Sequence, residues 1–117
     1  MKPGKRDETL FLSDIADAIG RILRYTAPGR DAFFADPMSQ DAVLRNMEII
    51  GEAARSIGAQ TRERHPEIPW REMGALRNRV LHEYFGVDLE VVWDVVSRDL
   101  LPLLAQIRAL LGSQEGK

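Results

Sequence analysis

The sequence contains no cysteine and only two histidines among its 117 residues. The absence of cysteine excludes a disulfide framework, a thiolate zinc site and a cysteine nucleophile. His65 and His82 are too few for a three-histidine metal centre, and no carboxylates accompany them at the spacing of a mixed site. We therefore expect no metal site and no cofactor.

Long apolar runs and an excess of either charge are also missing. The longest strictly apolar stretch is only a few residues, which excludes a transmembrane helix. The N-terminus lacks the apolar core and cleavage site of a signal peptide, so we expect a cytoplasmic protein with no membrane contact. The net charge is −2, from 16 Lys and Arg against 18 Asp and Glu, so any contact with nucleic acid must come from a local patch.

The length and composition are those of one globular domain. A chain of 117 residues is long enough to bury one core but not two. Its 44% hydrophobic and 29% charged residues are an ordinary globular balance. We expect a single domain over residues 1–117, with flexible tails at 1–6 and 112–117.

The apolar spacing predicts an all-α fold. It indicates a first helix over about 7–25, a second from an N-cap at Ser39 toward His65, a third over 70–84 and a fourth beginning at an N-cap, Asp88. Strand-length alternation and Asn-Gly or Asp-Gly turns are absent. Four main helices with short links predict an antiparallel bundle.

Two features predict a homodimer. Gly51, Ala54 and Gly58 form a strip of small residues on the second helix, where another helix could approach closely. The fourth helix is apolar on more than one side, and Pro102 within it is expected to cause a kink. This is more apolar surface than one small bundle can bury, so we expect two copies to associate.

One segment of the predicted third helix combines four chemically useful side chains, those of Arg77, Asn78, His82 and Tyr84. Arg77 and His82 are about 140° apart on a straight helix, so they could converge either through a distortion near Gly86 or across a dimer cleft. An imidazole can take the proton of an RNA 2′-hydroxyl or give one to the leaving oxygen. An arginine matches two phosphate oxygens and stabilises the charge of the transition state, so such a pair needs no metal.

Structural roles would account for the same residues, and spacing alone favours them. His82 could be a half-buried histidine near a helix end, Arg77 and Arg79 a solvated face paired with Glu83, and Tyr84 an anchor for the helix. Three further groups are expected to be structural: the salt-bridged stripe Arg45, Glu48, Glu52 and Arg55, the surface residue His65, and the core residues Trp70 and Trp93.

Four stretches of the chain carry a resemblance that extends well beyond this motif. They are DIADAIGRILRYT, QDAVLRNMEIIGEAARSI, HPEIPWREMGALRNRVLHEYFGVDLEVVWDVV and DLLPLL, which cover most of residues 14–104 in order. The chain resembles the HepT-like family of HEPN-domain proteins, the toxin half of the HepT/MntA toxin–antitoxin system. Arg77, Asn78, His82 and Tyr84 match the family's motif without departure.

The resemblance implies a HEPN-like helical bundle, a homodimer with the motifs near the interface, and a metal-independent endoribonuclease. Arg77 and His82 would be the catalytic pair, and Asn78 the supporting polar residue. A cognate nucleotidyltransferase antitoxin (MntA-like) would silence the toxin by adding AMP to Tyr84. The added phosphate would then repel RNA beside the arginine.

Two other functions fit the same residues. The chain could be a non-catalytic, nucleotide-binding partner subunit of a minimal nucleotidyltransferase, in which Arg77 and Asn78 hold a phosphate and His82 only binds. It could also be a helical dimerisation protein without activity. A cleavage assay in the presence of EDTA separates the ribonuclease from both alternatives.

Overall fold

The computed structural model describes residues 5–82 and 86–115, with side chains over 8–81 and 86–113. Its long helices are α1 (Lys5–Tyr25), α3 (Pro37–Arg55) and α8 (Leu100–Glu115). The predicted all-α fold is confirmed. Within the described residues, no helix is both long and apolar enough to cross a membrane.

Shorter elements connect the long helices. They are α2 (Arg30–Phe34), α4 (Ala59–Arg64), α5 (Trp70–Gly74), α6 (Leu76–Val80), β1 (Leu81–His82), β2 (Gly86–Val87), α7 (Leu89–Asp94) and a π-helical turn (Val95–Asp99) that leads into α8. The predicted second helix is thus divided into α3 and α4, and the predicted third into α5 and α6.

The core lies where α1 packs along both α3 and α8. Its buried side chains are spaced three or four residues apart on each helix, as the apolar periodicity predicted. They include Leu12, Ile15, Ile19 and Ile22 on α1, Val43, Met47 and Ile50 on α3, and Leu100, Leu103 and Ile107 on α8.

The start of α3 corrects one prediction. Asp36, not Ser39, is the N-cap, because its carboxylate accepts the backbone N–H of Met38 at 3.1 Å. Pro37 follows in the first turn, where its missing N–H leaves no bond unmade. Ser39 instead donates its hydroxyl to Asp36 at 2.7 Å, and this bond holds the pKa of Asp36 below its ordinary value.

The predicted third helix, 70–84, is wrong beyond Val80. The helix is first interrupted at Ala75 and then ends at Val80, where Leu81 adopts an extended conformation (φ −100°, ψ 133°). The carbonyl of Val80 accepts the backbone N–H of Asp88 at 2.7 Å, a bond to a later segment of the chain and not to the next helical turn. The motif is therefore split between a helix and an extended segment.

A short hairpin, absent from the sequence prediction, follows α6. β1 and β2 are antiparallel, with Leu81 opposite Val87 and His82 opposite Gly86. Gly86 has φ +76°, a left-handed conformation that glycine adopts without steric cost. Tyr84 lies outside the described residues.

The surfaces that predicted a homodimer are largely covered by other parts of the same chain. Gly51 is covered by α5, since a Cβ there would be 3.4 Å from the carbonyl oxygen of Met73. Val95 and Leu104, on the additional apolar side of the predicted fourth helix, are buried in the chain's own core. Leu101, on the same helix, is the exception, because its side chain is 66% exposed. The homodimer itself stays a prediction.

A distortion precedes Pro102, where the sequence predicted a kink. Proline has no N–H to donate to the carbonyl four residues earlier, so a regular α-helix cannot continue through that position with all its bonds. The π-helical turn Val95–Asp99 directly precedes the first turn of α8, which contains Pro102. Helices commonly accommodate such a lost bond by a local change of winding.

Replacing Gly20 and Gly51 separately by alanine should give different changes in the free energy of unfolding. A Cβ added at Gly20 would meet no atom within 4 Å, so Gly20→Ala should stabilise the helix by about 0.5–1 kcal/mol. A Cβ at Gly51 would lie 3.3 Å from Nη1 of Arg55 and 3.4 Å from the carbonyl oxygen of Met73, so Gly51→Ala should not show that gain. Urea unfolding followed by circular dichroism measures both, and equal gains would contradict the close packing of α5 on α3.

Removing the cap of α7 should destabilise the protein. Asp88 accepts the backbone N–H groups of Glu90 and Val91 at 3.1 and 3.2 Å. Asp88→Ala leaves both donors without this partner and should lower the free energy of unfolding by about 1 kcal/mol. Asp17→Ala, at an exposed aspartate inside α1, is the matched control and should cause no loss. Equal unfolding midpoints for the two variants would refute the capping role.

Candidate functional site

Arg77 and Asn78 lie on the exposed side of α6. Leu76 and Val80, four residues apart on this helix, are buried against the rest of the chain, at 5% and 0% exposure. The three residues between them therefore point outward, and all three are exposed. The sequence pattern of one short helix thus explains why the polar part of the motif is accessible to a ligand.

Glu48 on α3 lies beside the guanidinium of Arg77. One carboxylate oxygen of Glu48 lies 3.8 Å from Nε of Arg77, and the other lies 3.8 Å from Nη1 of Arg45. The Arg77 side chain is nevertheless 65% exposed. Contact through Nε leaves its two terminal nitrogens without a partner among the described residues, and those nitrogens form the fork that matches a phosphate.

Arg55 contacts the chain where α5 ends and α6 begins. In an uninterrupted helix the carbonyl of Gly74 would accept the N–H of residue 78. That carbonyl instead accepts Nη1 of Arg55, from α3, at 2.5 Å. Gly51 leaves room for this approach, because its missing side chain would lie 3.3 Å from the same nitrogen. Arg55 is therefore not part of a simple salt-bridged stripe, as the sequence predicted, but a link between α3 and the α5–α6 junction.

A cavity of about 230 Å³ separates α3 from α6 at this junction. Two carboxylates and two guanidinium groups face it, together with the amide of Asn78, which makes no side-chain hydrogen bond within the described residues. The lining residues are Met47, Glu48, Gly51, Glu52, Arg55, Gly74, Arg77 and Asn78. An unpaired amide beside an arginine with free terminal nitrogens can bind an anionic ligand.

The other two motif residues are placed only in part. The backbone of His82 lies in β1, paired with Gly86, while its side chain and all of Tyr84 lie outside the described residues. Because the helix ends at Val80, the 140° separation of Arg77 and His82 on a straight helix does not apply. Convergence within one chain and convergence across a dimer both stay open predictions.

The remaining candidates have structural positions. Trp70 is buried and its Nε1 donates to the carbonyl of His65 at 3.0 Å, and Trp93 packs against Phe33 with ring centroids 5.7 Å apart. The Arg79 side chain pairs with Asp99 at 3.0 Å. Among residues 5–82 and 86–115, no three His, Asp or Glu side chains cluster as metal ligands would.

Sequence reasoning missed the links that Glu48 and Arg55 make to α5 and α6. Both residues stood out as members of a charged stripe with helical spacing, but periodicity gives only the face of a helix and not its neighbour. The signal that was available is Gly51, which lies between them in the chain and permits another backbone to approach.

Comparison with known proteins finds relatives over most of the chain. The family described as Ribonuclease HepT-like matches residues 15–110. A protein of Thermococcus cleftensis named as a probable ribonuclease HepT is 42% identical over 107 residues, which are 91% of this chain and 97% of that protein. A protein of Methanocaldococcus jannaschii named as a candidate RNase is 40% identical over 97 residues, 82% of this chain and 89% of that protein.

A second M. jannaschii protein, named as a gamma-glutamylcyclotransferase and candidate RNase, is 37% identical over 108 residues, which are 92% of this chain but only 49% of that protein. No solved structure matches the chain. The family match and the two relatives covered nearly end to end agree with each other. The chain belongs to the HepT-like ribonuclease family.

Proposed function

We propose that this chain is an endoribonuclease toxin that cleaves cellular RNA without a metal ion, acting in the cytoplasm as a single-domain protein. Its family and the ribonuclease names of its relatives support RNA as the substrate. The observation that carries the proposal is the exposure of Arg77 at the edge of an open cavity, where its Nε lies 3.8 Å from Glu48 and both terminal nitrogens lack a partner in the described chain.

Arg77 is the phosphate-binding member of the proposed catalytic pair. Cleavage by the 2′-hydroxyl places additional negative charge on the phosphate oxygens in the transition state. The guanidinium of Arg77, which is exposed and has its terminal nitrogens unpartnered in the described chain, would stabilise this charge by donating to those oxygens. Asn78, next to it and unpaired among the described residues, is the supporting residue that holds a phosphate oxygen or the imidazole.

His82 is the proton-transfer member of the pair. The 2′-oxygen attacks the adjacent phosphorus and loses its proton, and the 5′-oxygen leaves with a proton, which yields a 2′,3′-cyclic phosphate. One imidazole serves one of these transfers at a time. A homodimer with its motifs near the interface would supply a second His82, so that one histidine acts as base and the other as acid.

Tyr84 is the proposed site of control by a cognate nucleotidyltransferase antitoxin. Its phenolic oxygen would attack the α-phosphorus of ATP, with loss of the phenolic proton and departure of pyrophosphate, leaving AMP on the tyrosine. Tyr84 is seven residues from Arg77 and two from His82. The bulk and the negative charge of the added AMP would therefore compete with RNA for the same arginine.

Replacing His82 by alanine should abolish cleavage while leaving the protein folded. The expected loss in rate is about 10²–10⁴-fold, because general acid–base catalysis typically contributes that much. The measurement is cleavage of single-stranded RNA in EDTA, with detection of 2′,3′-cyclic phosphate ends and prior mass spectrometry of Tyr84. His65→Ala, at the other histidine, should cleave like the wild type.

If the unmodified wild-type protein binds nucleotides tightly but leaves RNA intact, the chain is a nucleotide-binding partner subunit and the catalytic proposal is wrong. Wild-type cleavage that EDTA stops would contradict metal independence. Equal cleavage by wild type and His82→Ala would remove His82 from the mechanism.

Replacing Arg77 by alanine should lower kcat by about 10²–10³-fold, since one preorganised donor to developing charge is lost. Arg79→Ala is the matched control, because it removes the same charge two residues later on the same helix from a side chain that pairs with Asp99 at 3.0 Å. The same EDTA-treated cleavage assay compares both variants. Equal losses for the two arginines would show a general charge effect and not a catalytic role for Arg77.

Tyr84→Phe should keep its toxicity when the nucleotidyltransferase is present. The sequence has two tyrosines, so Tyr25→Phe, on α1, is the matched control and should be silenced like the wild type. Co-expression in a growth assay, with intact-mass measurement of the added AMP, tests both. Full silencing of Tyr84→Phe by an active nucleotidyltransferase would refute the assignment.

A further inference from the structure

A second, larger groove begins where the candidate site ends. It has a volume of about 730 Å³ and is lined by residues from the end of α3, from α4, from the segment between α4 and α5, and from α5 and α6. Arg55, Gly74 and Asn78 line both this groove and the cavity beside Arg77, so the two are adjacent. A volume of this size accommodates more than a single phosphate group.

The lining of this groove is locally basic although the chain is not. Arg55, Arg62 and Arg71 face it, against a single carboxylate, that of Glu72. The whole chain has a net charge of −2. Basic residues that exceed the acidic ones at one place on an acidic protein form the local patch that binding to a polyanion requires.

No side-chain contact within the described part of the chain accounts for Arg62 or Arg71. Both side chains are exposed, and neither makes an ion pair or a hydrogen bond within the described part of the chain. Several other arginines of this protein are paired: Arg30 with Glu90, Arg79 with Asp99 and Arg55 with the carbonyl of Gly74. Two unpaired guanidinium groups in one groove are available for a ligand with at least two anionic groups.

One side of the groove is apolar and buried. Ile68 and Trp70, at 3% and 7% exposure, form its buried apolar base, and the bond from Nε1 of Trp70 to the carbonyl of His65 fixes the segment between α4 and α5. Because the ring of Trp70 is buried, it offers no platform on which a base could stack. The guanidinium groups of the groove are suited to the phosphates of a strand, and Trp70 does not add stacking to a base.

We propose that this groove binds the sugar–phosphate backbone of the substrate RNA, with Arg62 and Arg71 each holding a phosphate of the strand that continues past Asn78 to Arg77. This assignment rests on the proposed ribonuclease function and extends it, because it says how the strand reaches the catalytic pair. Contacts to phosphates alone predict binding with little dependence on base sequence.

The test measures RNA binding without cleavage. The probe is a fluorescent single-stranded RNA pool of mixed sequence with 2′-O-methyl groups throughout, which lacks the attacking hydroxyl. Fluorescence anisotropy over a salt series compares the full chain with the double variant Arg62→Gln/Arg71→Gln. The matched control is Arg24→Gln/Arg108→Gln, which removes the same charge from exposed positions on α1 and α8.

We expect the groove variant to bind roughly 2- to 30-fold more weakly than the wild type at low salt. The slope of log K against log salt should become less steep by about 1.4, which is about 0.7 for each of two lost phosphate contacts. The control should keep the wild-type slope. On cleavable RNA the groove variant should show a raised KM with kcat little changed, since the catalytic pair is intact.

Three results would overturn the proposal. They are wild-type protein that does not bind the probe, a groove variant that binds like the wild type, and a control that is weakened as much as the groove variant. If the groove variant no longer associates with the nucleotidyltransferase but binds RNA like the wild type, the groove is a binding site for a protein partner and not for RNA. The probe cannot be cleaved, so the binding test is independent of catalysis. If the protein binds the probe through Arg62 and Arg71 but never cuts cleavable RNA, the proposed catalysis is wrong and the proposed RNA-binding groove still stands.

Discussion

The hydrogen bond from Arg55 to the carbonyl of Gly74 is the contact on which the site depends. It joins α3 to the junction of α5 and α6 at 2.5 Å, and Gly51 leaves space for it, since a Cβ there would lie 3.3 Å from the donating nitrogen. Arg55 donates to a carbonyl that a continuous helix would use internally, at the point from which α6 starts. The position of α6 in turn brings Arg77 within reach of Glu48, 3.8 Å away, and so connects a structural contact to the orientation of the motif.

The end of α6 is the second constraint, and it changes how the motif must be understood. A helix through residues 77–84 would place the arginine and the histidine on different faces. The bond from the N–H of Asp88 to the carbonyl of Val80 closes a short hairpin, so that β1 carries His82 out of the helix. Arg77 therefore depends on the helix and His82 on the strand, and the four residues between them include the turn from one to the other.

Local patterns in the sequence predicted what depends on local physics. The buried faces of α1 and α3 follow from apolar spacing, and the cap at Asp88 follows from its side chain and its position before an apolar run. The failures have a common cause. The apolar spacing predicts a cap at Ser39, but Asp36 precedes the proline that starts the helix and is the cap. The same spacing predicts one helix over 70–84, but the helix is broken beside Gly74, whose carbonyl accepts a hydrogen bond from Arg55, 19 residues earlier. Periodicity shows neither a competing cap nor a side chain from another helix.

If the proposed ribonuclease is silenced at Tyr84, its weak overall charge and its locally basic groove have different consequences. A strongly basic surface would bind RNA at many places, and modification of one tyrosine could not remove that affinity. The net charge of this chain is −2 and two exposed, unpaired arginines share one groove, so under the proposal the RNA-binding energy would be concentrated along a path that ends at Arg77. A single AMP placed at the end of that path would then act on the whole strand, because it would obstruct the point at which bound RNA meets the proposed catalytic pair. Under this arrangement, the fewer phosphate contacts there are outside the groove, the more complete the silencing becomes.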